Sequence, residues 1–381
     1  MSGPERGRRQ RVVEVHPLRE AHHRAHRALP DGRVRRQTGR DDVALLGFTS
    51  GTTGSPKATM HFHRDILIMA DGFAKEILRI TPDDIVVGSP PLAFTFGLGG
   101  LAVFPLRFGA TATLLENATP PSLVEHIKRH RATMVFTAPT AYRVMLSGLA
   151  DRSDLASLRV ACSAGETLPK PVHEDWVART GVPILDCLGS TEMIHVFIGS
   201  RFEDAQAGVT GRPVTGYEAR IVDDDMNDLP PNTPGRLAVR GPTGCRYLAD
   251  ERQKVYVRDG WNLTGDTFVC DENGYYRFVA RADDMIISAG YNISGPEVEA
   301  ALLAHPAVAE CAVIGAPDEG RGEIVQAHVV LKAGQPASPE LAVALQELGE
   351  AEDRVQRCPQ LVAHVGEELA LGGVGRVGLL T

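Results

Sequence analysis

Nine consecutive residues, Thr49-Ser50-Gly51-Thr52-Thr53-Gly54-Ser55-Pro56-Lys57, have the composition of a loop that binds a polyphosphate. The glycines allow backbone N–H groups to turn toward one anion, the hydroxyls add donors, and the lysine adds a positive charge. An apolar run at residues 43–48 predicts a buried strand before the loop, and residues 66–78 predict a helix after it. A strand, a glycine-rich loop and then a helix is an arrangement that binds phosphates.

Two alternatives compete for this segment. Its Ser, Thr and Gly content is also typical of a flexible linker. A kinase-type P-loop requires a second glycine directly before the lysine and Ser or Thr after it. Here Pro56 precedes the lysine and Ala58 follows it, so the segment is not a Walker motif.

The elements that would position the loop alternate between strand and helix across residues 41–211. Strands are predicted at residues 85–87, 110–115, 133–137, 159–163 and 183–188, and helices near 66–78, 121–131, 140–149 and 169–180. This alternation predicts an α/β fold with a parallel sheet, whose ligands bind where the strands end.

The pattern changes twice along the rest of the chain. Short strands and turn signals across residues 212–282 predict a small β-barrel-like subdomain, including strands at 217–222, 236–240 and 275–279. Residues 283–350 predict a small α+β C-terminal domain, with helices at 296–303 and 339–350 and strands at 308–314 and 326–331. Residues 1–40 and 351–381 are set apart as a basic segment and an aberrant tail.

Composition excludes several classes of protein. The 381 residues contain no apolar run long enough to span a membrane and no signal-peptide core, so a cytoplasmic protein is expected. The six cysteines show no disulfide or zinc spacing. Residues 1–40 carry eleven arginines against four acidic residues, but they contain no aromatic residue that could stack on bases. Nucleic acid and membrane are therefore not the expected partners, and the oligomeric state is left open.

The phosphate loop resembles the signature loop of the adenylate-forming superfamily, which includes acyl-CoA synthetases, luciferases and peptide-synthetase adenylation domains. Further motifs follow in the order of that family: Ser163-Ala164-Gly165-Glu166, Gly189-Ser190-Thr191-Glu192, Thr264-Gly265-Asp266, Arg281-Ala282-Asp283-Asp284, and Gly290-Tyr291-Asn292-Ile293-Ser294-Gly295-Pro296-Glu297-Val298-Glu299. The stretch from residue 48 to residue 105 is most similar to 2-aminobenzoate-CoA ligase and then to benzoate-CoA ligase. Leu188, where many members have an aromatic residue, also suits that branch.

The resemblance implies an acid-thiol ligase that uses ATP, Mg²⁺ and coenzyme A. Lys57, Thr191 and Glu192 would be catalytic, with Glu192 as the metal ligand. The ATP site implied by the resemblance comprises Thr49, Ser50, Gly51, Thr52, Thr53, Gly54, Lys57, Ala164, Gly165, Glu166, Gly189, Ser190, Thr191, Asp266 and Arg281. Out of this context, a Thr-Glu pair is a helix start and a Gly-Asp pair is a turn.

An aromatic carboxylate is the expected substrate because Pro90-Pro91-Leu92-Ala93-Phe94-Thr95-Phe96-Gly97-Leu98-Gly99 stands at the acyl-pocket position of the family. Phe94, Phe96 and Gly97 would hold a flat ring, and His195 would contact its carboxylate or ortho substituent. Either phenylalanine could instead be a core residue, and His195 could be a packed core histidine. The glycines from Gly97 onward also mimic a dinucleotide fingerprint, but that motif should directly follow a strand.

The second half-reaction implies a mobile C-terminal domain. Asp283 matches the family hinge, and Ser288, Gly290 and Tyr291 match the loop that lines the pantetheine tunnel of coenzyme A. As an alternative, Asp283 would merely cap a turn.

Two departures from the family are expected to impair this chain. Only 48 residues precede Thr49, so the first subdomain of the large domain is expected to be missing. No lysine follows Lys332, whereas members carry a catalytic lysine near the end. A frameshift at each end would explain both departures. The alternative functions are a degenerate nucleotide- or acyl-binding protein and a basic-armed nucleic-acid module.

Overall fold

The computed structural model describes residues 38–49, 56–149, 151–281, 285–288, 291–318, 322–350 and 361–366. Contacts between backbone positions divide the chain into two compact units, Met1–Phe278 and Val279–Thr381. No helix in the described ranges is both long and apolar enough to cross a bilayer.

The first two strands, β1 (Val43–Thr49) and β2 (Lys57–Phe62), pair antiparallel on either side of the phosphate loop. The helix predicted at residues 66–78 is present, but β2, which was not predicted, lies between it and the loop. The sequence of β2 alternates, and Thr59 and His61 are both fully buried on one face. The helix begins only at His63, after the Phe62 N–H donates to the Asp65 carboxylate at 2.9 Å.

β1 is also less buried than its apolar sequence predicts. Its residues alternate between half-buried and exposed positions, and the Phe48 side chain is 68% exposed. Within the described part of the chain, β2 is its pairing partner. A strand with one covered face needs only alternating burial.

Seven strands form the central sheet: β3 (Ile85–Gly88), β4 (Thr111–Thr113), β5 (Met134–Thr137), β6 (Val160–Ser163), β7 (Ile184–Gly189), β8 (Val196–Gly199) and β9 (Arg212–Pro213). Their order is β4-β3-β5-β6-β7-β8-β9. The pairs from β4 to β7 are parallel, while β8 and β9 join antiparallel. The predicted parallel α/β sheet is confirmed.

The interior strands β5 and β6 are buried on both faces because their side chains alternate between two apolar cores. In β5, Met134 and Phe136 pack in one core cluster, while Val135 packs in the other. In β6, Ala161 likewise points opposite to its neighbours. This two-sided burial explains why these strands are continuous apolar runs.

The four helices predicted in the first unit are present, and several short helices there were not predicted. In chain order they are His63–Met69, the π-helical Ala70–Ile77, Thr95–Leu98, the π-helical Gly99–Val103, Phe104–Phe108, Pro120–His130, Pro139–Gly148, the 3₁₀ turn Arg152–Leu155, Lys170–Thr180 and Gln253–Tyr256. Prolines occupy the first turns of several helices, where a missing N–H costs no hydrogen bond.

The predicted barrel-like region is a five-stranded antiparallel sheet. Its strands are β10 (Glu218–Val222), β11 (Gly235–Arg240), β12 (Val257–Arg258), β13 (Trp261–Cys270) and β14 (Tyr276–Arg281). The order is β10-β11-β13-β12, and β14 pairs with β13. The first unit ends within β14.

The second unit contains a sheet of the order β16-β15-β18-β17, with β19 parallel to β18. Its strands are β15 (Ile286–Ser288), β16 (Tyr291–Ile293), β17 (Val308–Asp318), β18 (Gly322–Leu331) and β19 (Leu361–Gly366), and its helices are Gly295–Leu303 and Pro339–Glu350. Ser294 caps the first helix by accepting from the Glu297 N–H at 3.2 Å. β19 was not predicted, since it lies in the segment expected to be an aberrant tail.

Candidate functional site

A tight turn at the carboxyl end of β7 presents the Gly-Ser-Thr-Glu motif. A Cβ atom on Gly189 would lie 2.8 Å from the His195 carbonyl oxygen, so the close return of the chain requires glycine. The Met193 N–H donates to the Ser190 hydroxyl at 3.2 Å, and Ile194 adopts a left-handed φ of 70°. The turn thus places Glu192 at a fixed point beyond a strand end, where open α/β sheets bind ligands.

Glu192 is a buried carboxylate with one oxygen engaged. The Tyr247 O–H donates to Oε1 at 2.7 Å, and both side chains are less than a tenth exposed. Burial, followed by the adjacent Glu192 charge, raises the pKa of Tyr247 above its ordinary value, so the phenol stays a donor. The Oε2 atom accepts no hydrogen bond within the described part of the chain. A hard divalent cation prefers such an oxygen.

Lys57 approaches the same tyrosine from the hairpin. Its Nζ lies 4.9 Å from the centroid of the Tyr247 ring, within the range of a cation–π contact. Tyr247 forms an antiparallel bridge with Thr59, two residues along β2. Lys57 and Glu192 therefore both contact the Tyr247 side chain. The loop residues Ser50, Gly51, Thr52, Thr53 and Gly54 lie outside the described residues.

The hairpin also packs directly against the Gly-Ser-Thr-Glu turn. A Cβ atom on Gly47 would lie 2.7 Å from Thr191 Cγ2, so β1 approaches Thr191 as closely as a glycine permits. From β2, His61 Nε2 lies 2.6 Å from the Thr191 carbonyl oxygen and donates to it. The two ends of the phosphate loop, Thr49 and Lys57, are thereby anchored beside Thr191.

The predicted nucleoside contacts lie after β6 and within β13. Gly165 has a φ of +91° after β6, and Glu166 accepts from the Thr140 hydroxyl at 2.7 Å. Ala164 is buried in the core. Asp266 is 7% exposed on β13, and its N–H donates to the Thr264 hydroxyl at 3.2 Å.

Tyr256 is a second phenol near the metal-ligand candidate. Burial raises the pKa of this phenol well above its ordinary value, and the charges of Glu192 and, more weakly, Asp266 raise it further. Its ring packs against the Tyr247 ring at 5.8 Å between centroids. The Tyr256 phenol therefore belongs to the aromatic surroundings of Glu192.

Arg281 and the predicted hinge and coenzyme A residues belong to the second unit. Arg281 is exposed at the end of β14. Ser288 and Tyr291 are backbone pairing partners in the β15–β16 ladder. Asp283 and Gly290 lie outside the described residues, so the hinge and tunnel assignments stay predictions.

Of the predicted acyl-pocket residues, the structure brings Phe96 and His195 together. Their ring centroids are 5.9 Å apart, and Phe73 and Phe104 complete an aromatic cluster around the imidazole, at 5.4 and 4.8 Å from it. Phe94, by contrast, is 64% exposed. Gly97 serves packing, because a Cβ atom there would lie 2.2 Å from the Pro91 carbonyl oxygen.

His195 is chemically unusual in this cluster. It is 3% exposed, and neither ring nitrogen has a hydrogen-bond partner among the described residues. Burial lowers the pKa of His195 to about 3, so the imidazole is neutral. A buried donor and acceptor without partners are costly for stability.

The structure also explains the glycines that mimic a dinucleotide fingerprint. Residues 95–103 form helical turns, and a Cβ atom on Gly99 would lie 2.4 Å from the His195 ring. One on Gly100 would lie 2.7 Å from the Phe136 ring. These glycines permit close aromatic packing and do not form a phosphate-binding turn.

Sequence reasoning missed Tyr247 and His61. Both touch the Gly-Ser-Thr-Glu turn from segments distant in the sequence, Tyr247 from 55 residues further along and His61 from 130 residues earlier. The alternation of β2 would have placed His61 on the solvent face, because its apolar residues are Ala58, Met60 and Phe62, whereas the structure buries the opposite face. Nothing local marks Tyr247.

Two family models match this chain. The model described as "AMP-binding enzyme" matches residues 3–247, and "AMP-binding enzyme C-terminal domain" matches residues 297–373. The matches therefore extend into residues 3–40 and 351–373, which were expected to differ from the family.

Several relatives share much of the sequence. Benzoate–CoA ligase of Thauera aromatica is 38% identical over 311 residues, which are 80% of this chain and 59% of the relative. 3-Hydroxybenzoate–CoA ligase of Aromatoleum sp. strain CIB is 32% identical over 91% of this chain and 67% of its own length. The chain thus spans less than two thirds of the Thauera relative.

Solved structures agree in fold. The anthranilate CoA ligase AuaEII in complex with anthranoyl-AMP has a TM-score of 0.81 and 34% identity, covering 89% of this chain and 66% of that one. A benzoate CoA ligase from Burkholderia xenovorans LB400 has a TM-score of 0.79 and 34% identity, covering 87% and 67%.

Proposed function

This chain belongs to the AMP-binding enzyme family, and we propose on that premise that it activates an aromatic carboxylate with ATP and transfers it to coenzyme A. The observation that carries the proposal is the buried Glu192 carboxylate, which meets the Tyr247 phenol beside Lys57 at the end of β7. The benzoate and anthranilate ligases among its relatives support the substrate class. We also propose that the protein acts in the cytoplasm.

In the first half-reaction, a carboxylate oxygen attacks the α-phosphorus of ATP and expels pyrophosphate. Both reactants are anions, so the site must chiefly neutralise charge. Lys57 and the phosphate loop would hold the β- and γ-phosphates, and Thr191 the α-phosphate. Glu192 would hold Mg²⁺ through Oε2, and the bound cation would supply positive charge to the phosphates.

The nucleoside would lie across the neighbouring strand ends. Asp266, which is buried on β13, would accept the ribose hydroxyls. Arg281, at the end of β14, would also contact ATP. The segment Ala164-Gly165-Glu166 would lie against the adenine, because the left-handed glycine leaves space for a flat base.

The acyl group would enter the aromatic cluster around His195. Phe96 would offer a ring face, while one imidazole nitrogen would hydrogen-bond the carboxylate or an ortho substituent of the substrate. In the second half-reaction the thiolate of coenzyme A would attack the acyl carbonyl and release AMP. Ser288, Gly290 and Tyr291 would line the thiol path, with Asp283 as the hinge.

Replacing Lys57 by alanine should weaken ATP binding by about 1–3 kcal/mol, the range for hydrogen bonds to charged groups. Isothermal titration calorimetry would measure the change. Lys254→Ala is the matched control, because Lys254 is an exposed lysine that pairs with Glu251. Equal ATP affinity in Lys57→Ala and the unmodified chain would exclude the phosphate-loop assignment.

The acyl pocket should prefer planar aromatic acids over aliphatic chains. A cluster of Phe73, Phe96, Phe104 and His195 offers ring faces and edges to a flat ligand. Binding and pyrophosphate release would be compared for 2-aminobenzoate, benzoate and octanoate. Tighter binding of octanoate would contradict the substrate class, and binding without pyrophosphate release would favour a degenerate binding protein.

A further inference from the structure

The Tyr247 side chain contacts both charged groups that the proposed function assigns to the ATP phosphates and the cation. Its O–H donates to Glu192 Oε1 at 2.7 Å, and its ring face lies 4.9 Å from Lys57 Nζ. One side chain therefore touches a carboxylate through its hydroxyl and an ammonium group through its ring.

The backbone holds this phenol from two sides. Tyr247 bridges to Thr59 on β2, the strand that begins at Lys57. On the other side, the Tyr247 N–H donates to Gln253 Oε1 at 2.7 Å, and Gln253 Nε2 donates to the Cys245 carbonyl at 3.1 Å. The tyrosine is thus fixed to the element that carries Lys57.

The hydrogen bond also distinguishes the two oxygens of Glu192. Since Oε1 accepts the phenol proton, Oε2 is the oxygen that remains for a cation. A partner that orients a ligating carboxylate typically changes metal affinity by about 10- to 100-fold when it is removed.

We propose that Tyr247 is a positioning residue with two roles. It fixes the Glu192 carboxylate for a divalent cation, and it holds the Lys57 ammonium group beside the ATP phosphates. The inference rests on the proposed function, because it takes Glu192 as the cation ligand. Tyr247 itself contacts neither ATP nor substrate in this assignment.

The test separates the hydroxyl from the ring. ATP binding would be measured by calorimetry in EDTA and across a MgCl₂ titration for the unmodified chain, Tyr247→Phe and Tyr247→Leu. Tyr275→Phe is the matched control, because its hydroxyl likewise donates to a carboxylate, Asp204 Oδ2 at 3.2 Å, and its ring likewise faces a cation, Arg212, at 4.9 Å. The proposed function assigns neither partner a role.

Tyr247→Phe should leave ATP affinity in EDTA within about twofold, since the ring still faces Lys57. The MgCl₂ concentration that gives half of the cation-dependent gain in ATP affinity should rise about tenfold. Tyr247→Leu should also weaken ATP binding in EDTA, by about threefold or more, because it removes the cation–π contact. Tyr275→Phe should change neither quantity.

Two results would overturn the proposal while leaving the proposed function intact. One is an unchanged MgCl₂ requirement in Tyr247→Phe, and the other is a loss of ATP binding in EDTA by that variant, which would indicate a merely structural role. If the unmodified chain binds no ATP with or without MgCl₂, the proposed function fails and this inference fails with it.

A double-mutant cycle adds a second criterion. Once Glu192→Ala has removed the carboxylate, Tyr247→Phe should not raise the MgCl₂ requirement further. A further increase in the double variant would show that the phenol acts elsewhere, and it would overturn the proposal.

Discussion

Replacing Glu192 by glutamine should lower kcat/KM for ATP by about 10²- to 10³-fold, the scale of losing one preorganised electrostatic contact to the transition state. The amide keeps the size of the side chain and can still accept from the Tyr247 phenol, but it carries no charge. Pyrophosphate release with 2-aminobenzoate or benzoate would measure the loss.

Glu203→Gln is the control for that experiment. Glu203 is an exposed carboxylate paired with Arg79, and it belongs to no part of the candidate site. Its replacement should leave pyrophosphate release unchanged. A Glu192→Gln chain that keeps full activity would rule out the metal-ligand assignment.

Replacing His195 by leucine should stabilise the fold and weaken the binding of aromatic acids. Each buried polar group without a partner costs about 1–3 kcal/mol, and leucine removes the ring nitrogens while filling a similar volume. The free energy of unfolding should therefore rise by about 1–3 kcal/mol, while affinity for 2-aminobenzoate should fall by about tenfold. Urea denaturation and calorimetry would measure the two effects.

The control for that substitution is His173→Leu. His173 is 8% exposed, and its Nε2 also has no partner among the described residues, but it lies on the helix Lys170–Thr180. It should stabilise the fold without changing acid binding. If His195→Leu also leaves acid binding unchanged, His195 is a packed core histidine and not a ligand for the substrate.

The His195→Leu comparison also has a definite pH dependence. Burial lowers the pKa of His195 to about 3 from an ordinary value of 6.5, so between these values the unfolded chain binds the proton and the folded chain does not. Above pH 6.5, protonation of His195 does not reduce the free energy of unfolding. Below pH 6.5, the free energy of unfolding falls as the pH decreases, by at most about 1.4 kcal/mol per pH unit. Between pH 7 and pH 5, the advantage of the leucine variant should grow by about 2 kcal/mol.

The central sheet was predictable because its strands are buried on both faces. Residues such as Met134, Val135 and Phe136 form short continuous apolar runs, which the pattern of helices between them separates clearly. Helix ends were predictable to within about three residues because prolines and glycines mark them.

The hairpin and the Tyr247 contact were not predictable by the same means. β2 alternates between polar and apolar residues, and its polar face is the buried one. Its strand conformation depends on pairing with β1 and with residues 246–248. Tyr247 reaches Glu192 across 55 residues, and no local pattern encodes a hydrogen bond over that separation. Motifs could identify the charged groups, but the contacts that orient them depend on tertiary structure.

The impaired adenylation expected from the lack of a lysine after Lys332 stays a prediction. Residues 351–360 and 367–381 lie outside the described part of the chain.

The close fit of Gly99 against the His195 ring has a consequence for how this pocket can change during evolution. A Cβ atom at position 99 would sit 2.4 Å from the imidazole, and the same constraint links Gly100 to Phe136 at 2.7 Å. A larger residue at either glycine therefore demands a smaller or displaced partner. The two positions of each pair should vary together among homologues, so a change of substrate by single substitutions at these sites would pass through a destabilised intermediate.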